Sequence, residues 1–205
     1  MKIKKLFRAA VVCFGLMTIL CGIIYTVAVT GAAQLLFPDQ ANGSMIVVTQ
    51  EDGTQKEYGS QLLAQEFTKP QYLIGRPLGV SNLSPVSKEQ QTLVLERINW
   101  WHSFDPGNQE EIPMDLVTAS GSGVDPHISP EAAEYQVARI AAVRNMTEDE
   151  VRGIIKTCTK GRLLGFIGEP GVNVLKVNLA LDGLLKIKKW YDIKIVRWWN
   201  MNGII

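Results

Sequence analysis

The first part of the chain is a long segment of apolar residues. Between Ala9 and Pro38 the sequence contains no charged side chain. A helix that crosses a membrane needs about twenty consecutive apolar residues, and this segment exceeds that length. The pattern therefore predicts a transmembrane helix over residues 9–36, preceded by a short polar N-terminus over residues 1–8.

Beyond this segment the apolar residues follow the shorter periods of strands and amphipathic helices. Met45 to Val48 is a β-type run, and Asp52-Gly53 after it is a tight-turn signal. Ser60 is predicted to cap a short helix over Gln61 to Phe67. The stretch from Lys69 to Pro85 is rich in Pro, Gly, Ser and Asn, which predicts a loop.

Three helix start signals mark the second half of the chain. Ser87 precedes a helically spaced apolar set at residues 93–98. Ser129-Pro130-Glu131 combines a capping hydroxyl, a proline for the first turn and an acid that faces the helix dipole. Thr147 with Glu150 forms a capping box before another apolar stripe.

The last apolar pattern runs from Asn173 to Leu181 and alternates with polar or small residues, which predicts a half-buried strand. Because helices and strands follow in mixed order, the fold class predicted is α+β rather than a regular βαβ arrangement. We expect one transmembrane helix, then a single mixed domain over residues 37–185, then a basic aromatic tail over residues 186–205.

The charges are distributed unevenly and indicate an orientation. Of the 21 Lys and Arg residues, Lys2, Lys4, Lys5 and Arg8 precede the apolar segment, so the remainder carries 17 basic against 20 acidic groups, 17 − 20 = −3. Cytoplasmic flanks collect Lys and Arg, so the N-terminus is expected in the cytoplasm and the domain outside a cell (inner) membrane. A slightly acidic domain argues against nucleic acid as a partner, because affinity for it comes largely from neutralised phosphates.

A cleaved signal peptide is the alternative interpretation of the first segment. It shares the basic start, and Val27 to Ala33 contains the small residues that a cleavage site needs. The domain would then be a free extracytoplasmic binding module. The length of the apolar run favours the uncleaved helix.

The cysteines do not predict a disulfide framework. Cys13 and Cys21 lie in the apolar segment, so Cys158 is alone in the predicted domain. A CxxC metal site is excluded for the same reason, and Cys158 is expected to be a small core residue.

The stretch from Thr118 to His127 holds the candidate chemistry, with hydroxyls at Thr118, Ser120 and Ser122, an acid at Asp125 and the histidine. A serine hydrolase using Ser120 or Ser122 with His127 is one hypothesis. Neither serine has glycines on both sides in the G-x-S-x-G spacing, and triads normally assemble from distant segments.

Other kinds of site are weaker in the same stretch. Its glycines are not followed by the Lys that a phosphate-binding loop needs. Asp125 and His127 alone offer too few ligands for a metal site, because His102 is the only other histidine in the sequence. His102 is expected to be a partly buried aromatic neighbour. A structural loop that leads into a helix accounts for most of these residues. Arg76 is a candidate for partner binding or for bonding loop carbonyls.

These motifs resemble the C subunit of the Kdp-type potassium-transporting ATPase, over most of the chain. The residues that carry the resemblance are Asp115 to Ala133, Gln40 to Ser44, Gly59-Ser60, Phe67, Arg76-Pro77, Ser81 to Leu83, Gln136, Gly168 to Pro170, Val172 to Val174 and Asn178 to Asp182. Three features depart from the family pattern: a shorter loop after Arg76-Pro77, Gly171 in place of a bulkier residue, and the extension over residues 186–205.

The resemblance implies a non-catalytic accessory subunit of an ATP-driven, high-affinity potassium uptake complex. The implied partners are a channel-like potassium-translocating subunit and a P-type ATPase subunit. It also implies a catalytic chaperone that raises the ATP affinity of the ATPase subunit. We expect no cofactor in this chain, with ATP and potassium handled by the complex, and we expect Arg76 and the 118–127 stretch to order the domain's loops or its partner face.

Overall fold

A computed structural model of the chain describes residues 2–50 and 53–185. The chain divides into two compact units. The first is Met1–Val47 with Glu57–Ser60, and the second is Val48–Lys56 with Gln61–Ile205. The predicted tail over residues 186–205 lies outside the described residues. The predicted domain boundaries therefore stay predictions, while the α+β class is confirmed by the helices and strands below.

The first unit contains one continuous apolar helix. It is formed by α1 (Lys2–Met17), a π-helical stretch (Thr18–Tyr25) and α2 (Thr26–Leu36). The 34 residues from Ile3 to Leu36 are long and apolar enough to cross a membrane. Thr18 and Thr26 donate their hydroxyls to backbone carbonyls of the same helix at 2.8 and 3.2 Å, so these polar groups are satisfied within the helix. The helix begins before residue 9, the predicted start, because nothing in the basic N-terminal residues breaks it.

A short turn and a hairpin follow this helix. Helix α3 (Pro38–Ala41) leads to β1 (Met45–Thr49) and β2 (Gln55–Ser60), which form a two-stranded sheet. The turn between the strands has Gly53 at φ +80°, a conformation that glycine adopts without strain. The strand predicted for this region is confirmed, whereas the predicted turn at Asp52-Gly53 lies partly outside the described residues.

The helix predicted over residues 61–67 is wrong, because this stretch consists of turns and irregular backbone. Ser60 does not cap it but donates its hydroxyl to the carbonyl of Gly43 at 2.6 Å. Further along, Ala64 donates its backbone N–H to the carbonyl of Val124 at 2.9 Å. Hydrogen bonds to residues distant in sequence thus replace the local bonds of a helix.

The second unit contains the remaining helices and a small sheet. Strands β3 (His127–Ile128), β4 (Thr159–Lys160) and β5 (Gly171–Asn173) pair antiparallel in the order β3-β5-β4, with His127 opposite Asn173 and Thr159 opposite Val172. The helices are α4 (Lys88–Phe104), α5 (Met114–Val117), α6 (Pro130–Glu134), α7 (Val137–Arg144), α8 (Glu148–Thr157) and α9 (Val174–Leu181).

The three predicted helix starts are confirmed by cap geometry. The hydroxyls of Ser87, Ser129 and Thr147 accept hydrogen bonds from the backbone N–H groups three residues later. The capping box is complete, since Glu150 accepts from the backbone N–H of Thr147 at 2.9 Å. The apolar stripe after Ser129 is divided between α6 and α7. His102 is exposed on α4, which corrects the prediction of a partly buried side chain.

The strand predicted from Asn173 to Leu181 is wrong beyond its first residue. Strand β5 ends at Asn173, whose side chain accepts from the N–H of Lys176 at 3.0 Å and so starts α9. Helix α9 buries residues 174, 175 and 177–181. A helix that is buried on nearly all sides has no polar face. Its sequence pattern therefore does not distinguish a helix from a strand.

The core lies between these helices and the three-stranded sheet. Trp101 of α4 is buried and donates its indole N–H to the carbonyl of Leu116 at 3.2 Å. Cys158 is partly buried and packs against the core, as predicted, and burial raises the pKa of its thiol. The central members of this core are Leu73, Trp101, Ile128, Ala132, Ala133, Val137, Ile140, Val151, Val172 and Val177.

Candidate functional site

Residues 70–76, here called the pinned segment, form an irregular stretch that two buried amides hold in place. The N–H of Leu73 donates to Oδ1 of Asn178 at 2.8 Å, and Nδ2 of Asn178 donates to the carbonyl of Leu73 at 2.9 Å. Gln136 makes the same pair of bonds to Ile74, at 2.8 and 2.9 Å. Each side-chain amide thus satisfies a buried backbone donor and acceptor as a neighbouring strand would.

Two arginines of α7 complete the bonding of the pinned segment. Arg139 donates to the carbonyls of Pro70 and Tyr72 and to the amide oxygen of Gln136, and Arg144 donates to the carbonyl of Gln71 at 2.7 Å. Burial lowers the pKa of Arg139 to about 10, while nearby Asp105 acts in the opposite direction. Arg139 therefore keeps its positive charge at neutral pH.

The pinned segment ends at Arg76, which forms an ion pair. Its guanidinium donates to one carboxylate oxygen of Asp115, and the other oxygen accepts from the backbone N–H of Ser129 at 2.7 Å. The side chains of Arg76 and Asp115 are 24% and 17% exposed, so the pair is only partly screened by water. Asp115 thus links the pinned segment to the start of α6, and Arg76 bonds a carboxylate rather than loop carbonyls.

The hydroxyls of the 118–127 stretch bond their own loop. Thr118 donates to the carbonyl of Met114 at 2.7 Å at the end of α5. The hydroxyl oxygens of Ser120 and Ser122 lie 3.4 Å apart and accept from the N–H groups of Asp125 and Val124. These are the local bonds of a structural turn.

A close backbone approach explains one glycine of this stretch. Gly123 has φ +72° and accepts a hydrogen bond from the N–H of Gly79 at 2.9 Å. A Cβ atom at Gly123 would lie 2.7 Å from the carbonyl carbon of Gly79. Position 123 therefore requires glycine both for its backbone conformation and for the space beside it.

The hydrolase alternative is not supported by this geometry. His127 contacts Asp125, with 3.4 Å between Nδ1 and Oδ1, and its backbone N–H donates to the same oxygen at 3.0 Å. In the described part of the chain, neither Ser120 nor Ser122 hydrogen-bonds to His127. The nucleophile and base that acyl transfer needs are therefore not joined.

A polar cavity of about 460 Å³ brings together three of the six predicted site residues, Arg76, Asp125 and His127. Three charged residues that were not among the predicted site residues also line it: Asp115, Lys160 and Glu169. The hydroxyl residues of the 118–127 stretch do not line it. Two basic side chains, Arg76 and Lys160, line the cavity with three acidic ones, Asp115, Asp125 and Glu169, so charges of both signs are mixed and neither sign dominates.

The described residues also contain no group of three or more His, Cys, Asp or Glu placed to hold a metal ion. Asp125 and His127 are paired with each other instead. Asp115 connects the pinned segment to the start of α6 through Arg76 and Ser129. The 118–127 stretch is connected separately, because the carbonyls of Gly123 and Val124 accept from the N–H groups of Gly79 and Ala64.

Comparison with known proteins shows the family to which the chain belongs. A protein-family model described as "K+-transporting ATPase, c chain" (KdpC) matches residues 7–183. A relative from Listeria monocytogenes named "Potassium-transporting ATPase KdpC subunit" is 52% identical over 186 residues, covering 89% of this chain and 98% of the relative. Relatives of the same name from Clostridium perfringens and Clostridium botulinum are 50% and 47% identical, covering 89% of this chain and 99% and 98% of their own lengths. The chain therefore belongs to the KdpC family, the c chains of the K+-transporting ATPase.

Proposed function

We propose that this chain is a non-catalytic accessory subunit that assembles and stabilises an ATP-driven potassium uptake complex. The observation that carries the proposal is the family match over residues 7–183, which includes both the apolar helix and the folded domain. The apolar helix and the domain are thus both parts of what the family shares. The local bonding of the 118–127 hydroxyls supports a structural rather than a catalytic role.

The proposed placement is a single-pass protein of the cell membrane with its domain on the outer side. The 34-residue apolar helix is compatible with such an anchor. Lys4, Lys5 and Arg8 precede the apolar run, which favours a cytoplasmic N-terminus by the charge bias of membrane flanks. Cysteine labelling at a position in the domain from outside intact cells tests this orientation, and labelling only after cell lysis would contradict it.

The proposed partners are a channel-like potassium-translocating subunit and a P-type ATPase subunit. We propose that this chain holds no cofactor and that ATP and potassium are handled by those partners. Arg76 and the 118–127 stretch would keep the domain's loops in the form that a partner meets. Purification of the tagged chain in mild detergent should recover both partners, and recovery of the chain alone would contradict the proposal.

We further propose that any effect on ATP affinity passes through the anchor helix. A domain outside the membrane cannot touch cytoplasmic nucleotide, whereas the helix can alter the assembled complex. Nucleotide binding should be tighter in the complex that contains this chain than in one whose anchor has been replaced by an unrelated apolar helix. Equal affinities in the two complexes would end this part of the proposal.

A further inference from the structure

The sequence after the domain differs in chemistry from the domain itself. Residues 186–205, here called the basic segment, lie outside the described residues and beyond residue 183, where the family match ends. The family match therefore does not explain them. Their composition and the point from which they leave the domain indicate what they bind.

The charges of the basic segment are opposite in sign to those of the domain. The segment carries five basic side chains and one acid, Asp192, so its net charge is 5 − 1 = +4. Residues 37–185 carry 12 basic and 19 acidic side chains, 12 − 19 = −7. The five basic residues are Lys186, Lys188, Lys189, Lys194 and Arg197. A local run of positive charge next to an acidic domain favours an anionic partner surface.

The basic segment is also rich in large aromatic side chains. Three of the five Trp residues of the chain lie in it, at positions 190, 198 and 199, together with Tyr191. Trp and Tyr are enriched at the boundary between the headgroups and the hydrocarbon of a bilayer, because their rings are apolar at one end and polar at the other. Lys and Arg keep their charged ends among the headgroups while their methylene groups contact apolar surface. This combination is typical of a segment that lies on an anionic membrane surface.

The point at which the basic segment leaves the domain is held by hydrogen bonds. Helix α9 ends at Leu181, and Gly183 follows with φ +72°, the left-handed conformation that commonly terminates a helix. Arg144 donates to the carbonyl of Leu181 and to one carboxylate oxygen of Asp182, both at 2.7 Å, and Tyr72 donates to the other oxygen at 3.0 Å. Helix α9 thus stops before the basic segment, which starts from a turn bonded to α7 and the pinned segment.

The basic segment is long enough to reach a bilayer. The apolar helix over Ile3–Leu36 has the length and composition to cross a membrane, and in sequence only residues 37–47 separate it from the second unit. An extended segment of twenty residues spans about 70 Å, whereas a domain of about 150 residues is about 40 Å across. The segment can therefore pass from the domain to the membrane surface.

We propose that the basic segment binds the surface of the membrane that holds the apolar helix. Its Trp and Tyr rings lie at the headgroup boundary, and its Lys and Arg side chains contact anionic phospholipid headgroups. The inference rests on the single-pass placement in the proposed function, since it needs the domain to be tethered to a bilayer. Attraction to the acidic domain would explain the basic residues but not the four aromatic ones, so lipid is the partner that accounts for both.

Lipid quenching in the full chain tests the proposal. Cys13, Cys21 and Cys158 are replaced by Ala, and Asn200→Cys is labelled with an environment-sensitive fluorophore in nanodiscs that contain phosphatidylglycerol and spin-labelled lipid. The emission should shift to the blue and be quenched strongly by the spin label. The matched reference is Asp149→Cys on α8, where the native side chain is 94% exposed, and its label should report water and little quenching.

Two variants separate the aromatic contribution from the basic one. In W190S/W198S/W199S, quenching at position 200 should fall to the level of the reference at position 149. With the five basic residues replaced by Gln, quenching should be weaker and should no longer depend on salt or on the anionic lipid.

The other results have distinct meanings. A blue-shifted emission without quenching would show that the segment packs on the protein, and a water-like emission would show that it contacts neither protein nor lipid; both overturn the inference. Equal quenching at positions 149 and 200 would overturn it too, because lipid contact would then not belong to the segment. These results do not depend on partner subunits and leave the proposed assembly role intact. If a label at Ala28 in the apolar helix is not quenched, the single-pass placement fails and the inference fails with it.

Discussion

The pinned segment and the hairpin between β4 and β5 are both irregular stretches of the same unit, and they are built in opposite ways. The end of this hairpin, residues 163–167, is here called the hairpin tip. The pinned segment has its backbone bonded by buried side chains from α7, α9 and the turn before α7. The backbone bonds of the tip stay within residues 162–167, and its apolar side chains are exposed. A loop that is tied to the core contributes to stability, whereas a loop whose side chains are exposed contributes little.

This contrast predicts that substitutions in the two stretches differ in their effect on stability. Changes at the anchors of the pinned segment should lower the free energy of unfolding. Changes at the tip should leave the free energy of unfolding nearly unaltered.

The largest loss of stability is expected for Asn178→Ala. It leaves the buried N–H and carbonyl of Leu73 without partners, and each such group costs about 1–3 kcal/mol, so we expect a loss of about 3 kcal/mol. Denaturant unfolding of the detergent-solubilised full chain, followed by circular dichroism, measures it. Asn99→Ala, an exposed amide on α4, is the control and should change little. Equal effects of the two variants would contradict the role of the pinned segment.

The next largest effect is expected for Gly123→Ala. The new Cβ would meet the backbone of Gly79 at 2.7 Å in a left-handed conformation, which should cost about 2 kcal/mol. Gly121→Ala is a matched control two residues away, since a Cβ there meets nothing within 4 Å. The same unfolding assay compares them, and a stable Gly123→Ala variant would show that the two loops can separate at no cost.

A smaller effect is expected at the ion pair between Arg76 and Asp115. Since both side chains are partly exposed, a double-mutant cycle with Arg76→Ala and Asp115→Asn should give a coupling energy of about 1 kcal/mol. Added salt should reduce the coupling. A coupling of zero would mean that Asp115 acts only through its bond to the N–H of Ser129.

The smallest effect on stability is expected at the hairpin tip. Phe166→Ser and Leu164→Ser should each stay within about 0.5 kcal/mol of wild type, because exposed side chains have few contacts to lose. The same unfolding assay checks this. A loss comparable to that of Asn178→Ala would place the tip among the structural elements and erase the contrast.

The parts of the fold that sequence could predict are those decided locally. The caps at Ser87, Ser129 and Thr147 bond to N–H groups three residues away, so their pattern is visible in the chain itself. The stretch over residues 61–67 and helix α9 were mispredicted because their conformation depends on distant partners, such as Val124 for Ala64. Local propensity is a weak prior where tertiary contacts decide.

The candidate site was predictable only in part for the same reason. Arg76, Asp125 and His127 were singled out by residue type and do line one cavity. Lys160 lies on β4 and Glu169 lies just before β5, so the pairing of these strands brings both residues to that cavity. No sequence motif predicted this pairing. Gln136 and Asn178 are visible in the sequence, since each is a polar residue within or beside a regular apolar pattern.

Potassium uptake by cells is the most direct test of the central claim that this chain is an accessory subunit of a potassium-transporting ATPase. Cells that lack the gene for this chain should lose uptake at micromolar external potassium, and the full-length chain supplied from a plasmid should restore it. Uptake that is unchanged in the absence of the chain, with the other subunits still assembled, would contradict the account.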